Sequence, residues 1–205
     1  LRKSTIGGMF TGRSSSNTPG ASGNIAYGVD GAFGFFENLT IGGYWAKTKT
    51  EGLEGDDDSY QARYDYFADR YGARVEYLKV GDNFSPEVGF IQRDDFKRSF
   101  ASLRFSPRPK DFLGVRKFTW QGDLEHIESG AGALETRVHV GKFTTEFNTS
   151  DTINIEATRD YEMITQPFQV ATGVSIAPGG YSFDDLQVSY TFGAQRRLAE
   201  PAAVD

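Results

Sequence analysis

The chain has 205 residues, with 22 Lys and Arg against 28 Asp and Glu, a formal charge of -6, a mean hydropathy of -0.47 and no cysteine. The cysteine count excludes a disulfide framework, thiol catalysis and thiolate metal sites, and the acidic balance argues against nucleic acid, which needs concentrated positive charge. No run approaches the roughly 20 apolar residues of a membrane-spanning helix. Hydropathy leaves a transmembrane β-barrel open, because its strands alternate lipid-facing and lumen-facing residues and so average to a soluble-looking value.

Helical periodicity is nearly absent, whereas period-2 alternation recurs in segments of about ten residues. A first strand begins near Lys3. Leu1 falls at its start with no apolar leader before it, so any targeting segment is expected to lie upstream or to have been removed. From Asn24 to Phe36, Ile25, Tyr27, Val29, Phe33 and Phe35 share one face, opposed by Ala26, Gly28, Asp30, Ala32 and Gly34. Leu39, Ile41 and Trp45 repeat the pattern, as do Tyr60 to Tyr66 and Tyr71 to Tyr77. Later come Phe118, Trp120 and Leu124, then Leu134, Val138 and Val140, then Ile153 and Ile155, then Leu186, Val188 and Tyr190. About ten strands follow from this template. The fold class expected is all-β, an antiparallel up-and-down transmembrane β-barrel or part of one.

Two hairpins acquire a register from their turns. A two-residue turn at Asp69-Arg70 pairs Ala68 with Tyr71, setting Asp65 opposite Arg74 and Arg63 opposite Glu76. Across Ser129 to Ala133, pairing Glu128 with Leu134 sets Glu125 opposite Arg137 and Asp123 opposite His139. All eight charges then fall on the polar face. They are read either as a solvated sheet face, worth about 0.2–1 kcal/mol per pair, or as the lining of a water-filled lumen.

Connections alternate between long (Ser14 to Gly23, Glu51 to Asp58, Gly81 to Asp95, Thr165 to Tyr181) and short (Glu37-Asn38, Asp69-Arg70, Asn148 to Ser150). Outer-membrane barrels have short periplasmic turns and long external loops, while a sandwich has no reason to gather its long loops at one end. The turn at Ser129 to Ala133 departs from this parity.

Four stretches carry a resemblance: Ser4 to Gly8 with Phe10 to Arg13, Ala26-Tyr27-Gly28-Val29-Asp30, Glu87 through Asp94-Asp95-Phe96, and Pro167-Phe168 through Pro178-Gly179-Gly180-Tyr181. In this order and spacing they resemble the outer-membrane β-barrel domain of unknown function that follows a family-9-like carbohydrate-binding module in Gram-negative envelope proteins. The resemblance implies a longer barrel, a location in the outer membrane and, through the attached module, a link to glycan or nutrient handling. It supplies no catalytic residues. On this reading residues 1–196 are the first part of a barrel, and 197–205, which includes Pro201, form a flexible polar tail or loop that cannot be its closing strand.

Candidate chemistry is sparse. Asp56, Asp57 and Asp58 sit in a long loop and read as solvated carboxylates or, more sharply, as hard oxygen ligands for calcium, although the alternating Asp spacing of a calcium loop is missing. Arg93, Asp94 and Asp95 read as turn formers or as sugar-hydroxyl ligands. The two histidines, His126 and His139, provide neither a convergent metal set nor a positioned base, so no catalytic constellation, cofactor or metal is expected. The expected partner is outer-membrane lipid, with glycan or other envelope proteins in addition. The competing expectation is a soluble or periplasmic β-sandwich that binds carbohydrate.

Overall fold

A computed structural model of the chain describes residues 3–89, 91, 93–194 and 201–204. The strands are β1 (Ser4–Arg13), β2 (Asn24–Phe35), β3 (Leu39–Thr50), β4 (Asp58–Phe67), β5 (Tyr71–Val80), β6 (Phe96–Phe105), β7 (Val115–Ser129), β8 (Leu134–Phe147), β9 (Thr152–Ile164), β10 (Phe168–Ala171), β11 (Val174–Ile176), β12 (Gly179–Thr191) and β13 (Pro201–Val204). One 11-stranded sheet takes β1 to β9 in chain order and then β12 and β13, while β10 and β11 make a separate hairpin. The fold is all-β and up-and-down, and among the described residues no ladder joins β1 to the far edge.

The chain divides into two compact units. The first holds β1 to β4, most of β5, the start of β6 and the turn after β7. Its ladders run from Ser4↔Phe33 to Arg13↔Asn24, from Asn24↔Thr50 to Phe35↔Leu39, and from Leu39↔Tyr66 to Lys47↔Asp58. These registers set Val29 beside Trp45 and Trp45 beside Tyr60, and they place Ile41 between Phe33 and Tyr64. The alternation seen in sequence therefore becomes one continuous apolar face, with Tyr27 and Trp45 edge to face at 6.0 Å. Asn24, Ala26, Thr48, Ser59 and Asp65 occupy the other face.

The second unit holds the start of β5, the second half of β6, most of β7, and β8 to β13. Its ladders run from Thr136↔Glu162 to Glu146↔Thr152 and from Thr152↔Thr191 to Ile164↔Gly179. Phe143, Ile155 and Val188 lie side by side. A chain of rings runs from Tyr71 through Phe105 to Trp120, with centroids 5.3 and 5.9 Å apart, and on to Phe143 at 5.2 Å. Such ring pairs add about 0.5–1.5 kcal/mol each beyond the area they cover.

Burial is inverted relative to a water-soluble domain. Among the described residues only Ala26, Val80 and Val115 are buried hydrophobic side chains, whereas Asn24, Thr48, Thr50, Ser59, Asp65, Ser106, Thr145 and Asp151 are buried polar ones. On the apolar faces Val29 is 59% exposed, Val75 52% and Leu186 60%.

The turns follow the expected chemistry in part. Ala68 N–H donates to the Tyr71 carbonyl at 2.9 Å, closing the two-residue turn as its register requires, and Phe147 N–H closes the Asn148–Ser150 turn on the Asp151 carbonyl at 2.9 Å. Three segments differ from expectation. The stretch read as a loop from Thr165 to Tyr181 contains the β10–β11 hairpin. The connection 106–114, which gave no sequence signal, turns through positive φ at Asp111, Leu113 and Gly114. The tail expected over 197–205 is corrected at Pro201–Val204, which pairs with β12 from Thr191 to Val188. Proline is tolerated there because it opens an edge strand, where no ladder N–H is needed. The remainder of that tail lies outside the described residues.

Gly43 tests the tightness of the ladders. A Cβ at this position would lie 2.1 Å from the Gln61 carbonyl oxygen, whereas at Gly122 it would meet nothing within 4 Å. Gly43→Ala is expected to lower the unfolding free energy by about 1–3 kcal/mol. Gly122→Ala should leave it unchanged or raise it slightly, and urea unfolding of the two variants compares them directly.

Candidate functional site

Two constellations stand on the polar face of the first unit. The first is a charge ladder. Asp65, 8% exposed, accepts Arg74 Nε at 2.5 Å and pairs with Arg63 Nε at 2.9 Å. The Asp65–Arg74 juxtaposition expected from the turn is thus present. Glu76 takes Arg98 Nη1 at 2.6 Å, and the Arg98 guanidinium lies 5.2 Å from the Phe100 ring centroid. The ladder therefore extends onto β6, through residues that the sequence pattern did not single out.

The other four members of the expected ladder lie in the second unit. Asp123 accepts both its contacts from Gln121 Nε2, at 2.9 and 3.1 Å, and Glu125 is half-buried on the same strand. Arg137 and His139 require a correction. The β8–β9 ladder is regular from Thr136 to Glu146, so Arg137, His139, Gly141 and Phe143 alternate onto one face. That face carries the Phe143, Phe118 and Trp120 rings, and Arg137 stacks over Tyr161 at 5.7 Å. A register counted from the turn alone misplaced both residues, because a slip of one residue moves every side chain to the opposite face.

The second constellation is a strap, formed by the described residues of the segment 81–95, laid over the polar face. Asn24 Nδ2 donates to the Ser85 carbonyl at 2.8 Å and to Thr50 Oγ1 at 2.7 Å. Thr48 Oγ1 accepts Ser85 N–H at 3.0 Å and donates to the Asn83 carbonyl at 3.3 Å. Ser59, joined to Tyr44 Oη at 3.0 Å, donates to the Lys79 carbonyl at 2.9 Å just before the strap begins. Asn83 reaches the carbonyls of Gly55 at 2.9 Å and Glu54 at 3.3 Å. Gly81 is packed so closely that a Cβ would lie 2.0 Å from the Asp56 carbonyl oxygen. Each of these bonds contributes about 0.5–1.5 kcal/mol net, and leaving a buried partner unsatisfied costs about 1–3 kcal/mol.

Glu87, midway along the strap, ties it to the loop after β1. Its Oε1 accepts a very short hydrogen bond from Ser16 Oγ and another from Asn17 N–H at 2.9 Å, and its Oε2 faces Arg13 Nη1 at 3.3 Å. The Ser16 hydrogen bond, supported by those of the Asn17 and Thr18 amides and by the Arg13 charge, holds the carboxyl below its ordinary value.

The loop carboxylates serve structure. Asp56 and Asp58 pair with Lys79 Nζ at 2.5 and 3.2 Å, and Asp57 pairs with Lys47 Nζ at 3.1 Å. The Lys79 hydrogen bond keeps Asp56 ionised to lower pH than an ordinary carboxyl. The calcium reading of Asp56, Asp57 and Asp58 is therefore corrected: an ammonium faces each carboxylate, and among the described residues no group of three His, Cys, Asp or Glu is placed to hold a metal. In Arg93-Asp94-Asp95, the Arg93 guanidinium lies 5.6 Å from the Phe96 ring centroid, Asp94 lines a polar recess beside Asp82, and the Asp95 carbonyl accepts Gly130 N–H at 2.8 Å. Asp95 has φ 49°, a backbone role suited to a short polar side chain. Phe90 and Gln92 of the same stretch lie outside the described residues.

Asn24, Thr48, Thr50 and Ser59 were not singled out by sequence reasoning. Their signal was a switch from Gly and Ala to hydrogen-bonding side chains on the small-residue face near the long loops.

Fold and site together define an all-β, up-and-down sheet with a buried polar face and a strapped long loop. Comparison with known protein families, with curated proteins and with solved structures finds no match.

The Glu87 anchor has a pH signature. Because its folded-state value is depressed, the stabilisation it gives the strap is present in full above the ordinary value of 4.5 and is lost as pH falls through the lower folded-state value. A carbon-13 NMR titration of the Glu87 carboxyl is expected to show its midpoint below 4.5, with strap amides shifting in parallel. A midpoint at or above that value would contradict the anchor.

Proposed function

We propose that the chain is a barrel-forming region of an outer-membrane protein, with its apolar face against lipid and its polar face toward an aqueous lumen. The role fitting this arrangement is a channel, transport or anchoring platform, and the resemblance to barrel domains attached to carbohydrate-binding modules supports a link with glycan or nutrient handling. The observation that carries the reading is the inverted burial: among the described residues three small-to-medium hydrophobic side chains are buried, while in each unit an aromatic and aliphatic face stands exposed. At about 25 cal/mol per Å² of buried apolar surface, a domain in water forgoes its main driving force by leaving that face wet.

The face also has the vertical order of a bilayer section. On β3, Leu39, Ile41 and Trp45 give way to Lys47 and Lys49; on β5, Tyr71 to Tyr77 give way to Lys79. On β9, Ile153, Ile155 and Ala157 give way to Arg159, and on β12, Tyr190, Val188 and Leu186 give way to Asp184. In each case the apolar run starts at the short-turn end. At ~3.3 Å per residue the runs on β3 and β5 span roughly 20 Å, of the same order as the roughly 25 Å apolar band of outer-membrane barrels, and those on β9 and β12 span roughly 13 Å. Tyr60 and Tyr77, 6.0 Å apart, and the Tyr27–Trp45 pair mark one margin of the band, where interfacial aromatics belong.

Val75, in mid-band on β5, discriminates the readings. In a bilayer Val75→Arg is expected to cost about 2–4 kcal/mol, measured by reversible urea unfolding from vesicles. On a face exposed to water the same change stays within about 0.5 kcal/mol. Recovery of a folded monomer from the soluble fraction without detergent, with Val75→Arg unchanged in stability, would favour the soluble carbohydrate-binding sandwich instead.

A further inference from the structure

Near the long loops of the first unit the alternation of the sheet reverses. Arg74 and Glu76 occupy the polar face of β5, but the next two residues on that face are Leu78 and Val80, while Lys79 takes the other side. Phe96 at the start of β6 and Ile127 near the end of β7 line the same space as Leu78, and the strap adds Phe84 and Val88 from above. Between sheet and strap these side chains line a cavity of about 1150 Å³. Its floor is low because Gly28 and Ala46, paired across β2 and β3, carry almost no side chain.

Packing of the strap alone does not account for this space. Asn24, Thr48 and Glu87 hold the strap through polar bonds, and an apolar cluster packed for stability leaves few voids larger than a water molecule. The cavity instead reaches the upper end of the roughly 300–1,000 Å³ range of small-molecule sites, and it has the usual composition of one: apolar walls with a few placed polar groups.

The polar groups decide which ligand fits. Both guanidiniums on the wall are engaged: Arg98 is matched to Glu76 at 2.6 Å, and Arg93 lies over the Phe96 ring with a further interaction of its own. Tyr44 Oη is joined to Ser59 Oγ at 3.0 Å, so its ring lies along the sheet toward the long loops. Asp30, directly opposite Tyr44 on β2, differs from these: its exposed carboxylate takes no hydrogen bond and no ion pair among the described residues. It lies across Gly7 of β1, where a Cβ would come within 2.5 Å of Asp30 Oδ1. One uncompensated anion beside a tyrosine, at the edge of an apolar space, is the complement of an ammonium group that carries a hydrocarbon.

We propose that this cavity binds a cationic amphiphile, with its ammonium head at Asp30 beside Tyr44 and its hydrocarbon along Leu78, Phe84, Phe96 and Ile127. The site depends on the strap and the polar face of the sheet, and not on what surrounds the opposite face. It therefore stands apart from the membrane reading.

The test uses the full chain held in a non-ionic amphipathic polymer and dodecylammonium bearing a diazirine at its chain end. The expected result is saturable photolabelling of peptides from the strap and the adjoining ends of β5 and β6. Asp30 holds no other group in place, so Asp30→Asn removes the charge without removing a bond of the fold. Unlabelled dodecylammonium should compete about tenfold better than dodecanol, and Asp30→Asn should weaken labelling about tenfold while leaving the affinity for dodecanol unchanged. The conservative Asp30→Glu should restore part of the labelling. Labelling confined to Val75 and other positions of the apolar face would overturn the proposal, as would competition by dodecanol or dodecanoate equal to that of dodecylammonium, or an unchanged affinity in Asp30→Asn.

Discussion

A sheet with one dry face must choose which side chains to hide, and in this chain the dry face is the polar one. Asn24, Thr48 and Ser59 are each about 1% exposed, while rings and branched aliphatics only a residue away stand open. Burying a hydroxyl or amide is tolerable only when it is hydrogen-bonded, and here Asn24 Nδ2 and Thr48 Oγ1 bond the backbone of the strap and Ser59 Oγ bonds the Lys79 carbonyl just before it, while Asn24 Oδ1 is buried without a partner among the described residues. The polar face is therefore organised by hydrogen bonds, while the apolar face stands exposed on the other side of the sheet. Under the membrane reading both demands are met by one sheet without a hydrophobic core.

The strap follows from this partition. Its fifteen or so residues would carry many unpaired N–H and C=O groups if they lay against an apolar surface, whereas a face lined with amides and hydroxyls can receive them. Glu87 and Asp56 extend the same logic outward, each carboxylate taken up by backbone amides and a basic side chain. Once the strap lies across the sheet, the apolar residues Leu78, Phe96 and Ile127 of the polar face lie beneath it. Leu78 and Ile127 are out of place on a face open to water, but they fit one that the strap covers.

Much of this was legible in the chain. Period-2 alternation at Ile25 to Phe35 and Tyr71 to Tyr77 located the strands and the correct apolar face, and the Asp69-Arg70 turn fixed the partner of Asp65. What failed depended on information beyond one hairpin. Arg137 and His139 were assigned by counting from a Gly-rich turn, but their face is set by β9 through the uninterrupted ladder to Phe143. The Asp56–Asp58 triplet looked like a cation site because the lysines that neutralise it stand elsewhere in sequence, at positions 47 and 79. The small polar residues that hold the strap looked like filler, since Thr and Ser also suit any strand.

The central claim is that the aromatic face meets lipid. The chain has two tryptophans, Trp45 at the long-loop margin of the apolar band and Trp120 near the short turns, 40% and 44% exposed. Variants keeping one tryptophan each, reconstituted in vesicles whose acyl chains carry bromine at a defined depth, report directly on contact with lipid. The account predicts strong quenching of both, deepest when the bromine lies high on the chain near the headgroups. Emission from either tryptophan that is indifferent to brominated lipid and quenched instead by aqueous iodide would contradict it.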